Sequence, residues 1–449
     1  GRGSADAASV HSSAQGLPTL SVLQASAMLV GTVVGIGIFK TPPIAAANVP
    51  NEIAFLALWA AGGLLTLIGA LCYAELGSNY PHAGGEYHYL TRAYGRALGF
   101  LFGWGRMTVI QTGAIAAVAF VYGDYAAVLL PLGEHGPAIH AAVAVVVLTL
   151  LQLRGTPISG STQVALTAIT VAALGLIAIC GFVAEPKPTA NEPVSGSGAI
   201  GLAMVFILLT YGGWNETAYL SGEVRDAPRN MARVLLLGTG TVTAIYLGTN
   251  LALLSLLGLE GLRKAETVMV EPIAAVFGNV GAGVLALIVC FTALSTLNAT
   301  IFTGARSTLA LGNDFRPFAR FGQRNECTGA PANALLLQVA IALALIALGA
   351  QARSGFQTMV EYTAPVFWSF MLLIGISLFL FRWRESDRPS GFRVPLYPVT
   401  PLLFCLMSAH LLYSSVVYTG IGALVGIAIL AIGIPVFILG QAGGAGREV

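Results

Sequence analysis

Charge is what this chain has least of. Only 9% of its 449 residues are Asp, Glu, Lys or Arg, against 56% hydrophobic, and the mean hydropathy is +0.80. A water-soluble domain needs a surface far richer in charge, so a soluble enzyme or binding module is excluded. The net charge is only +2, and no basic cluster of the kind that grips nucleic acid occurs. Cysteine is scarce too. Of five, Cys72, Cys180, Cys290 and Cys405 sit inside apolar runs, which argues against a disulfide framework. His82, His88, His135, His140 and His410 fall at no metal-ligand spacing. No Ser/His/Asp set and no phosphate-cradling loop stands out, so enzymatic chemistry and a resident cofactor are not expected. A cleavable signal peptide is also missing. The opening GRGS lacks a Met and reads as a cleavage scar, and residues 1–18 are expected to lie outside the fold.

What is abundant is apolar length. Runs of about 20 residues, enough to cross a bilayer, occur near 20–48, 52–79, 99–130, 137–153, 160–184, 199–223, 232–257, 280–311, 332–349, 356–382, 399–418 and 421–440. The pattern predicts an all-α membrane protein with twelve transmembrane helices, embedded in a lipid bilayer. Charge fixes its orientation. With the N-terminus inside, all but five of the 22 Lys and Arg lie on the inner side; the exceptions are Lys40, Lys187, Arg263, Lys264 and Arg353. Positive charge favours the inner face, so an integral plasma (inner) membrane protein with both termini cytoplasmic is expected.

Two of these spans are built to break. Gly31–Phe39 reads GTVVGIGIF, with Gly31, Gly35 and Gly37 where the bilayer is thickest. Each Gly costs about 1 kcal/mol against Ala in a helix interior. Freed backbone groups in hydrocarbon are tolerated only where they line a cavity or are buried in protein. The sixth span carries the second interruption at Leu209–Glu216, LTYGGWNE, where Gly212 and Gly213 adjoin Asn215 and Glu216. Spans one and six each open a set of five. An odd number of spans per set makes the two sets run in opposite directions, the pattern of an inverted-repeat transporter with its site at the midplane. The expected organisation is therefore residues 19–185 as the first five-helix repeat and 186–398 as the second with its outer loops. Helices eleven and twelve (399–440) and a tail (441–449) follow.

These motifs resemble the amino acid–polyamine–organocation permease superfamily, which has the leucine-transporter fold, and most nearly its L-type amino acid transporter branch. GTVVGIGIF followed by Pro42 is similar to the family's first-helix motif. Gly99–Trp104, GFLFGW, resembles its third-helix landmark. YGGWN at Tyr211–Asn215, then Glu223–Val224 and Arg229–Asn230, resemble the sixth-helix signature. Gly155–Gln163 and Asn298–Arg306 match further landmarks. The chain departs from the family at Ile36, usually small or hydroxylated, and at Leu209, usually an aromatic gate. It also has Thr170 where many relatives carry a lysine.

The resemblance implies a secondary active transporter, symporter or exchanger, working by alternating access. Its substrate would be an amino acid, a zwitterion that needs donors for a carboxylate and acceptors for an ammonium. Half-helix ends supply both. The N–H groups of Gly35, Ile36 and Gly37 are expected to hold the carboxylate. Carbonyls near Ile36 and from Leu209 to Gly212 would hold the ammonium, with Leu209, Thr210, Trp214, Asn215 and Glu216 around the side chain. Ile36 and Leu209 favour a small or aliphatic neutral substrate. Glu216, an acid in mid-span, is by default functional; it opens an alternative, a cationic amino acid or polyamine carrier. Sodium-coupled members of the fold bind their ion between spans one and eight. The matching oxygens here are carbonyls of Gly31 and Val34 and hydroxyls of Ser295 and Thr296, with Thr170 nearby. Oxygen ligation suits a hard cation, so a sodium ion or exchange without one both stand. Lys40 is read as snorkelling outward or pairing with Glu216 or Glu361. Arg225, Arg229 and Arg233 are read as inner-face anchors or as a gate pairing with Glu75, Glu223 or Asp226. With no Cys in an outer loop, a disulfide-linked accessory subunit is not expected.

Overall fold

A computed structural model of the chain describes residues 20–80, 85–155, 160–183, 185, 199–216, 224–387 and 391–445; for 160–164, 216 and 442–445 it describes the backbone only. Among the described residues the architecture is all helical. The one extended pairing is an isolated bridge between Leu20 and Val224, where the Arg225 N–H donates to the Leu20 carbonyl at 3.0 Å.

The long apolar runs become long helices. These are α3 (Glu52–Asn79), α7 (Gly136–Leu153), α8 (Gly160–Val183), α10 (Ala227–Lys264) and α11 (Val270–Asp314) in the first part of the chain. Later come α12 (Ala332–Ala350), α13 (Gly355–Arg384), α14 (Val399–Val417) and α15 (Ile421–Ala445). A further long helix is continuous through α5 (Arg96–Gly105), a π turn (Arg106–Ile110) and α6 (Gln111–Leu129). Among the described residues, ten helices are thus long and apolar enough to cross a membrane. Two more are apolar but short, α1 (Val22–Val33) and α9 (Ile200–Thr210). They are the first halves of the two spans whose glycines predict a break. α2 (Thr41–Ala47) continues the first of them, and α4 (Glu86–Tyr94) is a short amphipathic connector.

Helix ends differ from the expected boundaries by a few residues, except in α10 and α11. These run past Gly258 (φ +68°) and Gly278 (φ +69°), each a turn that a Cβ would strain. Flanking helical segments thereby bend across the ends of the bundle.

Packing places α1 along α10, α3 and α8 also on α10, and α6 between α7 and α11. α14 covers α3, α9 and α13. The two broken helices therefore lie in the middle of the bundle, where the surrounding helices supply partners for their freed backbone.

Candidate functional site

The first break begins at a well-formed helix start. Ser21 and Gln24 cap α1 reciprocally, Ser21 Oγ accepting from the Gln24 N–H at 3.2 Å. The helix ends at Val33. Val34 and Gly35 are extended, one 3₁₀ turn follows over Ile36–Phe39, and α2 resumes at Thr41 with Pro42 and Pro43 in its first turn, where a missing N–H forfeits no bond. The second break follows Thr210. Gly213 takes φ +96°, and a 3₁₀ turn covers Trp214–Glu216.

The two breaks cross in contact. A Cβ on Gly37 would lie 3.0 Å from Thr210 Cα, and one on Gly213 would lie 3.0 Å from the Thr32 carbonyl. Thr210 Oγ1 donates to Thr41 Oγ1 at 2.6 Å. The last carbonyls of the two half-helices share one donor. The hydroxyl of Tyr246, fully buried on α10, lies 3.2 Å from the Val33 carbonyl and 3.0 Å from that of Thr210. Its ring packs edge-on against Tyr211 at 4.9 Å. A buried carbonyl needs a partner, and Tyr246 supplies it for both freed ends.

A cavity of about 1900 Å³ runs along α1 from Leu23 to Gly35 and reaches Asn215. It is lined too by residues of α8 and α11, and by Gln152, Gly155, Arg324 and Thr328–Pro331. Of the residues named from sequence, Gly31, Val34, Gly35, Asn215, Ser295 and Thr296 line it. Ile36, Thr210 and Trp214 are buried away from it. The Trp214 ring stands edge-on to Tyr73 and Phe404 at 5.1 and 5.9 Å. Gly37 and Gly212 sit in the crossing itself, while Leu209 is exposed rather than turned to the cavity. The Glu216 side chain lies outside the described residues.

Thr170 is fully buried behind the cavity wall, its Oγ1 2.9 Å from Oγ1 of Thr292 on α11. Each of these two hydroxyls also lies 2.9 Å from the carbonyl four residues back, and Thr296 Oγ1 donates to the Thr292 carbonyl at 3.1 Å. No group of three or more His, Cys, Asp or Glu side chains is arranged for a metal among the described residues.

The opposite side is sealed. Lys40 neither snorkels nor reaches Glu361. It pairs with Asp124 of α6 at 2.6 Å and donates to the Glu266 carbonyl at 3.1 Å. Arg263, just past the Gly258 bend, donates to the carbonyls of Ala46 and Val49 at the end of α2. Tyr125 binds the Phe39 carbonyl at 2.9 Å. The expected arginine gate differs as well. Glu75 is taken by Arg382 of α13, while Arg229 meets Asp226, one of the expected partners, in an exposed 3.8 Å contact within its own first turn. Glu223 lies outside the described residues.

Sequence reading missed one cluster. Glu86, at the start of α4, is 7% exposed. It receives Arg106 at 3.0 Å, Asn215 Nδ2 at 3.2 Å and Tyr73 Oη at 3.2 Å. Both Glu86 and Arg106 line the cavity. The signal was available: an arginine inside an apolar span needs a partner.

Two discontinuous apolar helices crossing in mid-bundle beside a large cavity have the build of a membrane permease. The comparisons name the family. The amino acid permease model matches residues 20–439, and the chain belongs to that family, within the amino acid–polyamine–organocation superfamily. It is a transporter and not an enzyme, and its relatives support the L-type branch. The serine/threonine exchanger SteT of Bacillus subtilis (strain 168) is 27% identical over 439 residues, covering 95% of this chain and 98% of that protein. The mouse b(0,+)-type amino acid transporter 1 is 28% identical over 415 residues, 89% and 82% of the two chains. The mouse large neutral amino acids transporter small subunit 2 is 29% identical over 441 residues, 94% and 80%.

Proposed function

We propose that this protein exchanges small or aliphatic neutral amino acids across the plasma (inner) membrane by alternating access. The observation that carries the reading is the crossing of α1 and α9, with a cavity of about 1900 Å³ reaching it along α1. Ten long helices plus two interrupted crossings fit twelve spans, and the order of the breaks fits a 5+5 inverted repeat. The positive-inside rule puts the mouth of the cavity, the start of α1 and both termini in the cytoplasm, so this conformer is inward-open. The substrate carboxylate is assigned to N–H groups at Gly35–Gly37 and its ammonium to the acceptors of the α9 break. Binding shifts the balance between inward- and outward-open states through the contacts that differ between them.

Exchange is favoured over sodium coupling by the threonine seam. Thr170, Thr292 and Thr296 satisfy one another and nearby carbonyls, and no carboxylate stands among them to offset a bound cation. The mouse large neutral amino acids transporter is named as a small subunit, which supports an accessory partner for this chain. A disulfide to it would lack an anchor: Cys72, Cys180 and Cys290 are buried, Cys405 is half-buried, and exposed Cys327 lies on the cavity-mouth side.

Uptake into proteoliposomes tests the reading. Labelled alanine, serine or leucine should enter only when unlabelled amino acid is preloaded, and replacing sodium by choline should leave the rate unchanged. Uptake without preload would remove exchange. A sodium requirement lost in Ser295→Ala with Thr296→Ala would restore the ion site. Competition by arginine or a polyamine, with neutral amino acids inert, would establish the cationic alternative built on Glu216.

A further inference from the structure

Glu86, Arg106 and Asn215 join three separate parts of the chain at the inner end of the substrate route. Asn215 belongs to the turn after the α9 break, Glu86 to the start of the connector α4, and Arg106 to the π turn between α5 and α6. The π turn places Arg106 on the cavity side, the kind of local distortion that recurs at functional positions. The pair lies 3.0 Å apart, with side chains 23% and 9% exposed.

An ion-paired carboxylate only accepts hydrogen bonds. Glu86 Oε1 therefore dictates which end of the Asn215 amide faces it, and Nδ2 donates at 3.2 Å. The other end, Oδ1, is turned away from Glu86. It has no partner among the described residues, and Asn215 borders the cavity. What is offered to a solute at the break is thus an oriented acceptor. An amide free to turn over would present a donor half the time.

We infer that Glu86 and Arg106 are positioning residues for substrate recognition: they hold the Asn215 amide with its oxygen toward the cavity, ready for a donor on the solute, its ammonium or a side-chain hydroxyl. This rests on the amino acid reading above. It adds that recognition is set one residue back from the solute, by a pair that acts through the Asn215 amide.

The test is a double-mutant cycle on L-alanine and L-serine exchange in proteoliposomes. Asn215→Ala should raise KM about tenfold, the loss of a hydrogen bond of about 1.4 kcal/mol to a charged donor. Glu86→Gln, whose amide can donate as well as accept, releases Asn215 to turn and should raise KM similarly. Maximal rate per folded transporter should stay within about twofold in both, as loss of uniform binding requires. The double variant should resemble Asn215→Ala alone, because Glu86 acts only through Asn215. If the two increases multiply, or if Glu86→Gln lowers maximal rate and melting temperature with KM unchanged, the pair is a structural tie and the inference fails. Should Glu86→Gln not express, Glu86→Asp retracts the acceptor by one methylene and tests the same contact. A wild-type protein that exchanges neither amino acid would overturn the functional reading instead.

Discussion

At the scale of single residues, the glycines of the two breaks do different things. Gly35 adopts φ −132°, open to any residue, and a Cβ there would meet only the Val33 carbonyl at 3.8 Å. Gly213 takes φ +96° with the Thr32 carbonyl against it, and Gly37 abuts the backbone of Thr210. Gly213→Ala should therefore destabilise by about 1–2 kcal/mol from conformation alone, with lost uptake. Gly37→Ala should force the crossing apart, and Gly35→Ala should retain both stability and transport. Melting temperature and exchange rate of the three variants check this. A tolerated Gly213→Ala would show that the crossing has slack. The sequence showed that both spans break, because glycine pairs beside polar residues are visible in it. It could not show which glycine is sterically required, since that depends on what the other break brings near. Tyr246 escaped for the same reason: a tyrosine in an apolar run carries no local sign that it will bridge two distant carbonyls.

At the scale of elements, the ten long apolar helices of the described residues and most of their boundaries were legible because bilayer thickness imposes a length on apolar runs. The pairing of charged groups was not. Lys40 finds Asp124, eighty-odd positions on, because the 3₁₀ turn ahead of Lys40 packs against α6. The pair is 10% and 23% exposed, between the regimes of surface and buried ion pairs. Removing one partner should cost about 2 kcal/mol, since the other charge is left half-desolvated. Lys40→Met and Asp124→Asn should thus each lower the melting temperature more than the two together. The double variant should also admit impermeant thiol reagents from the outer side, to cysteines placed near Phe39, more readily than the parent. A loss in the double variant equal to the sum of the two single losses would mean the contact contributes nothing. Glu86 and Arg106 teach the same lesson. Each is a charge in or beside an apolar span, and the need for a partner was readable although its identity was not.

At the scale of the whole molecule, the family and the all-helical class followed from motif order and apolar length along the chain, while the cavity that reaches the centre followed only from three-dimensional packing. That hollow has a hydraulic consequence. About 1900 Å³, at about 30 Å³ per liquid water, holds on the order of sixty molecules. On the alternating-access reading proposed above, swinging to the other state drains most of them to the side the cavity faces, assigned above to the cytoplasm. Solutes too large to enter the hollow, added on that face, raise the work of keeping it filled and so favour the drained form. Thiol labelling of a Thr303→Cys variant should accordingly slow as a bulky osmolyte is raised on the cytoplasmic face, and a small permeant solute of equal osmolality should leave the labelling rate alone. A carrier of this build behaves as a bellows: each turnover moves a volume of solvent that dwarfs its cargo.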